Sequence, residues 1–152
     1  MQKEEYMNAA LKEAIKAKQK GEVPIGAVIV LGDKIISRGH NQKETKKKAT
    51  AHAEIIAIEK ACKKIGDWRL NECDLYVTVE PCLMCCGAII QSRVRKLVYG
   101  AKNDKFGHVE SVEKILGNKD HNHHVEIEGN VCEKEAAELL QEFFQNNRKS
   151  KG

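Results

Sequence analysis

The chain has no long apolar run, almost no proline and no repeats, and each absence narrows the choice. No stretch approaches the apolar length that a membrane-spanning helix needs. The first residues, Met-Gln-Lys-Glu-Glu-Tyr, contain no apolar core and no small-residue cleavage site, so a secretory signal is not expected and a cytoplasmic location is. With 2 prolines in 152 residues and no low-complexity stretch, nothing reads as a linker between domains. One domain over 1–147 is therefore expected, followed by a disordered basic tail at 148–152. What is present is a globular composition, with 41% hydrophobic and 32% charged residues. The formal net charge of +4 leans towards a polyanionic partner without demanding one.

Local patterns alternate between helix and strand. Met7, Ala10, Leu11, Ala14 and Ile15 recur at helical spacing between Lys3 and Lys20, and Gly21 ends that segment. Gly26–Leu31 and Lys34–Gly39 are short β-branched runs separated by Gly32-Asp33, which predicts a hairpin. Lys43–Lys48 is a loop or an exposed helix start. The next helix is expected to be capped by Thr50, to bury Ile55, Ile58, Cys62 and Ile65, and to close at Gly66-Asp67. A strand at Asp74–Val79, a helix opened by Pro81 and a strand at Lys96–Gly100 form a parallel crossover. A short helix at Val109–Leu116, a strand at His124–Glu128 and a last helix from about Glu133 to Asn147 complete the pattern.

Two stretches carry the chemistry. Thr50-Ala-His-Ala-Glu54 offers His52 and Glu54, and Glu80-Pro-Cys-Leu-Met-Cys85 offers Cys82 and Cys85. Cysteines three apart in a first helical turn share one face and can share a metal. The 6 cysteines of a chain without a secretory signal suit metal better than disulfides. One imidazole and two thiolates favour zinc, and three protein ligands leave a tetrahedral ion an open position, which points to catalysis. Glu54 is the candidate to move protons to and from a water in that position. His52 and Glu54 are two apart, so they can reach one site only from a helix end. Cys86 is expected in the core, as are Cys62, Cys73 and Cys132, and His121, His123 and His124 are expected at a loop-to-strand junction. The pattern H-x-E with P-C-x-x-C is the signature of zinc nucleobase deaminases.

Beyond that motif the chain resembles the bacterial tRNA adenosine deaminases, which convert the wobble adenosine of an anticodon to inosine. The likeness runs through Gly21-Glu-Val-Pro-Ile-Gly-Ala-Val28, His40-Asn41, Thr50–Glu54, Trp68-Arg69-Leu70, Leu75–Cys82, Met84-Cys85, Gly87-Ala88, Ser92-Arg93, Tyr99-Gly100-Ala101, Asn122-His123 and Phe143-Phe144. It implies a three-layer α/β/α cytidine deaminase-like fold, with a central five-stranded mixed sheet and helices on both faces. It also implies one Zn2+ per subunit, a homodimer and a tRNA anticodon stem-loop as partner. Asn41 matches a position that hydrogen-bonds the flipped base, although a turn asparagine is an equal reading of the residue alone. Phe143, Phe144 and Arg148 match a C-terminal helix that shapes the RNA site. Several positions depart from the family pattern: Lys48-Ala49 replaces Asp-Pro, Leu83 replaces a proline, Asn103 stands for an aspartate near the substrate backbone, and Phe106 and His108 replace small residues. An uncharged Asn103 is expected to weaken discrimination of the ribose and to allow some activity on single-stranded DNA. Two other readings remain open from the residues: a deaminase of a free base or nucleoside, and a non-catalytic zinc-stabilised RNA-binding module.

Overall fold

The computed structural model describes residues 2–151, and the side chains of residues 2–146. Helix α1 (Lys3–Gln19) precedes the hairpin β1 (Gly26–Leu31) and β2 (Lys34–His40). A one-turn helix α2 (Lys43–Lys46) leads into α3 (Ala53–Ile65), then β3 (Cys73–Val79), α4 (Leu83–Gln91), β4 (Lys96–Ala101), β5 (Glu126–Glu128) and α5 (Glu133–Lys151). The five strands form one mixed sheet in the order β2-β1-β3-β4-β5. β1 runs antiparallel to β2 and β3, whereas β3, β4 and β5 are parallel.

Strand alternation sends side chains to two cores. Ala27, Ile29, Leu75, Val77, Leu97 and Tyr99 pack against α3 and α4 through Ala53, Ala57, Ala61, Cys86 and Ile89. Val28, Val30, Tyr76 and Val98 pack on the opposite face against Tyr6, Met7 and Ala10 of α1, while Ala136 of α5 meets Leu11 and Ala101. The expected three-layer arrangement is thus present. Among the described residues no helix is long and apolar enough to cross a membrane.

Gly39 sets the spacing between β2 and α3. A Cβ there would lie 2.5 Å from the Ala53 carbonyl oxygen, so only glycine lets the start of α3 sit this close to the sheet.

Several expectations shift. His52, not Thr50, is the N-cap residue of α3, and the helix buries Ile56, Ile58 and the alanines 57 and 61 instead of Ile55 and Ile65. Ile55 is half-buried, Ile65 is exposed, and so is Ile15 of α1. Pro81 stands one residue before the cap, because Cys82 takes the N-cap position of α4. No helix forms at Val109–Leu116, where the chain makes turns, and β5 is shorter than the expected strand. α5 continues past Asn147 to Lys151, over residues expected in the tail, while Gly152 lies outside the described residues. Cys73 and Cys86 are buried, but Cys62 and Cys132 are only half-buried.

Candidate metal centre and active site

Two helix starts meet at one end of the sheet. His52 is the N-cap of α3 and Cys82 the N-cap of α4, with Cys85 one turn further along α4. Neither cap residue uses its side chain to cap its helix, so both are free to turn towards each other. His52 Nδ1 lies 3.6 Å from Cys82 Sγ and 3.5 Å from Cys85 Sγ. All three donor atoms fall within 4.8 Å of one another, the one such group among the described residues. A tetrahedral zinc with its usual bond lengths sets nitrogen-to-sulfur edges of about 3.5 Å, so the triad fits that ion in both donor type and spacing. His121 and His123 take no part. Each ring nitrogen Nε2 instead meets a backbone carbonyl, of Ile115 at 2.8 Å and Val94 at 2.7 Å.

The donors polarise one another. Hydrogen bonding from Cys85 pulls the Cys82 thiol down to about 4 against the cost of burial, with His52 adding to the effect. The hydrogen bond to Cys82 raises the His52 imidazole, and the separate bond between Cys82 and Cys85, together with burial, pushes the Cys85 thiol up. Glu54, 4% exposed, is the second residue of α3. Burial pushes its carboxyl up to about 7, although its own backbone amide and His52 oppose the shift. A carboxyl held near neutrality beside a metal triad is suited to accept and return protons at ordinary pH.

Two buried glutamates without an assigned role in the sequence organise the surroundings. Glu80, 2% exposed, accepts the amides of Asn103 (3.1 Å), Val109 (3.0 Å), Glu110 (2.7 Å) and Ser111 (3.0 Å), and the Ser111 hydroxyl. Burial pushes its carboxyl up, but these donors outweigh burial and hold it below the usual range. A Cβ at Gly107 would lie 2.4 Å from the Glu80 carboxyl carbon, so the loop closes tightly over that acid. His108 N also donates to the Pro81 carbonyl, which puts the loop against the residue before Cys82. Glu22, 1% exposed, does the same for α2, accepting the amides of Glu44 (3.1 Å) and Thr45 (2.6 Å) and the Thr45 hydroxyl. The only sequence signal for either was its place beside chemically informative residues.

The expected substrate contacts divide into two groups. Asn41, Phe143 and Phe144 come together, from opposite ends of the chain, around a recess of about 300 Å³ that Lys43 and Glu44 also line. Asn41 is at the same time a turn residue: its Oδ1 accepts the Lys43 amide and its Nδ2 donates to the Val23 carbonyl. Asn103 lies apart, in the loop over Glu80, and its Oδ1 accepts the amides of Lys105 (3.3 Å) and Phe106 (3.1 Å). The Arg148 side chain lies outside the described residues.

Comparison with known proteins agrees with this geometry. The model of the MafB19-like deaminase family matches residues 1–148. The tRNA-specific adenosine deaminase of Bacillus subtilis (strain 168) is 48% identical over 150 residues, which cover 99% of this chain and 93% of that protein. A structure solved in a study of A-to-I editing by tRNA:A34 deaminases at the wobble position is 43% identical, with a TM-score of 0.86, covering 90% of this chain and 99% of that one. The guanine deaminase of Nitrosomonas europaea is more distant, at 27% identity and a TM-score of 0.82 over 93% of this chain and 84% of its own. The chain belongs to the deaminase family, on the side of the tRNA-specific adenosine deaminases.

Proposed function

We propose that the chain hydrolyses the C6 amine of the wobble adenosine in a tRNA anticodon stem-loop, giving inosine and ammonia. The observation that carries the reaction class is a buried Glu54 carboxyl beside a His-Cys-Cys triad with zinc spacing. One zinc ion per chain, held by His52, Cys82 and Cys85, would supply the Lewis acidity that makes water nucleophilic at neutral pH. Glu54 takes the proton of the attacking water, delivers one to the purine ring nitrogen and passes another to the departing amine. Burial favours the neutral form of its carboxyl, which suits a group that both accepts and returns protons. Asn41, Phe143 and Phe144 would hold bases and ribose in the recess they line, and Arg148 would add positive charge to the RNA contact.

The substrate reading is supported by relatives named as tRNA-specific adenosine deaminases, at 43–48% identity over 94–99% of this chain, whereas a guanine deaminase of Bacillus subtilis reaches 41% over only 67% of it and that of Nitrosomonas europaea 27% over 93%. A cytoplasmic site of action follows from that substrate. A second copy of the chain is supported by α4, where Leu83 is exposed and Gly87 has open space at its Cβ.

The deciding assay measures ammonia and inosine from an anticodon stem-loop beside free adenosine, cytosine and guanine. Inosine is expected in the RNA, and Glu54→Ala is expected to lower its formation by roughly 10²–10⁴-fold with bound zinc unchanged. Ammonia from free guanine with none from RNA would replace this reading with a base deaminase. Tight RNA binding indifferent to Glu54, with no product, would replace it with a binding module.

A further inference from the structure

The outer strand β2 and helix α3 leave a second recess, of about 310 Å³, between them. Its walls are Ile35, Ile36, Ser37 and Arg38 from the strand and Lys60 and Lys64 from the helix, with no acidic side chain among them. The Ser37 hydroxyl is spent on the Ala57 carbonyl, and Lys60 Nζ donates to the Arg38 carbonyl at 3.1 Å, fixing one cation at the rim. Among the described residues neither Arg38 nor Lys64 takes part in an ion pair. The nearest acid along α3 is Glu59, which is exposed and does not line the recess.

Position gives this charge a direction. Lys60 and Lys64 follow the His52 cap by eight and twelve residues, roughly 12 and 18 Å along the helix. Exposed lysines at 43, 46, 47 and 48, in α2 and just after it, stand in the sequence between the end of β2 and the start of α3. A base that reacts at Glu54 must be unpaired and turned out of any stack, so paired RNA begins only some distance from the site. The cations lie at such a distance.

We infer that the β2–α3 recess binds the phosphate backbone of the paired stem that carries the reactive loop, through Arg38, Lys60 and Lys64. The inference rests on the tRNA reading above. Guanidinium and ammonium groups on a concave face with no acid among its walls suit phosphodiesters, and each phosphate they neutralise adds about one to the salt slope of binding.

The test compares a hairpin containing loop and stem with an unpaired oligonucleotide of the loop alone. Dissociation constants are measured across a salt series for the wild-type chain and for Arg38→Gln/Lys64→Gln. Hairpin binding by the double variant is expected to weaken at least tenfold at about 0.1 M salt, with a slope smaller by about 2. Binding of the loop oligonucleotide is expected to stay within about twofold, and Lys64→Arg to restore its share of the hairpin affinity. An unchanged melting temperature certifies the fold of each variant. Equal losses for both RNAs, or no loss for either, overturn the inference. Loss of binding to an acidic polypeptide with both RNAs unaffected also overturns it, in favour of a protein partner. A hairpin-selective loss in the double variant, with a wild-type chain that makes no inosine, would leave the groove standing and remove the catalytic reading.

Discussion

At the residue scale, the chemistry was legible because it depends on residue type and spacing. His52 and Glu54 two apart require a helix end, and the structure puts them at the cap and second position of α3. Cys82 and Cys85 three apart require one turn, and they occupy the cap and first turn of α4. Glu22 and Glu80 were not legible, since a buried carboxylate is identified by the amides that surround it, and those amides come from distant segments. Asn103 shows the same limit. Its Oδ1 accepts two amides of its own loop, a task an aspartate oxygen performs as well, so Asn103→Asp is expected to preserve the loop while adding a negative charge. Deamination of a DNA hairpin relative to its RNA counterpart should fall in that variant, because the charge repels the backbone and favours ribose-hydroxyl discrimination. An unchanged ratio of initial rates would show that residue 103 does not set the preference.

At the element scale, helices and strands followed apolar periodicity, and the failures have identifiable competitors. The run Val109–Leu116 has helical content, but Glu80 captures three consecutive amides at its start, and a side-chain acceptor replaces the helical ladder. That arrangement ties the loop to pH. Glu80 is held below the ordinary carboxylate range in the folded chain, so its stabilisation is complete above the unfolded value of about 4.3 and disappears as pH falls through the lower folded value. Amide exchange protection at Val109, Glu110 and Ser111 is expected to fall in that window while protection in β1 and β3 persists. Glu80→Gln should already lack the protection at neutral pH and show no such window. Uniform loss across strands and loop would mean that the tether has no local effect. Thr50 illustrates a different competitor, because the cap position went to His52, whose side chain faces Cys82 and Cys85.

At the scale of the whole molecule, the sheet order could not be read from strand patterns alone. The hairpin and the parallel crossover were local enough to predict, but the insertion of β3 beside β1 joins segments separated by α2 and α3. Assembly is similarly hidden. Gly87 costs α4 about 0.5–1 kcal/mol relative to alanine, and among the described residues nothing beyond its chain neighbours and its own helix backbone comes within 4 Å of its Cβ position. The second copy proposed above, approaching along α4, would account for the cost. Sedimentation should give twice the mass of one chain for the wild type and single-chain mass for Gly87→Leu, with the substituted helix no less stable. A dimer that persists in Gly87→Leu would exclude α4 from the contact.

The two free edges of the sheet differ in character. β2 ends the sheet on one side with Lys34 and Arg38 exposed, whereas β5 ends it on the other with three residues, two of them glutamate. Pairing of β2 with another β2 would bring like charges face to face, and β5 is too short to template a partner strand. The molecule is thereby protected against edge-to-edge aggregation by charge on one side and by brevity on the other. Only the first of these protections weakens in concentrated salt, so at high ionic strength any edge-to-edge strand pairing should run through β2.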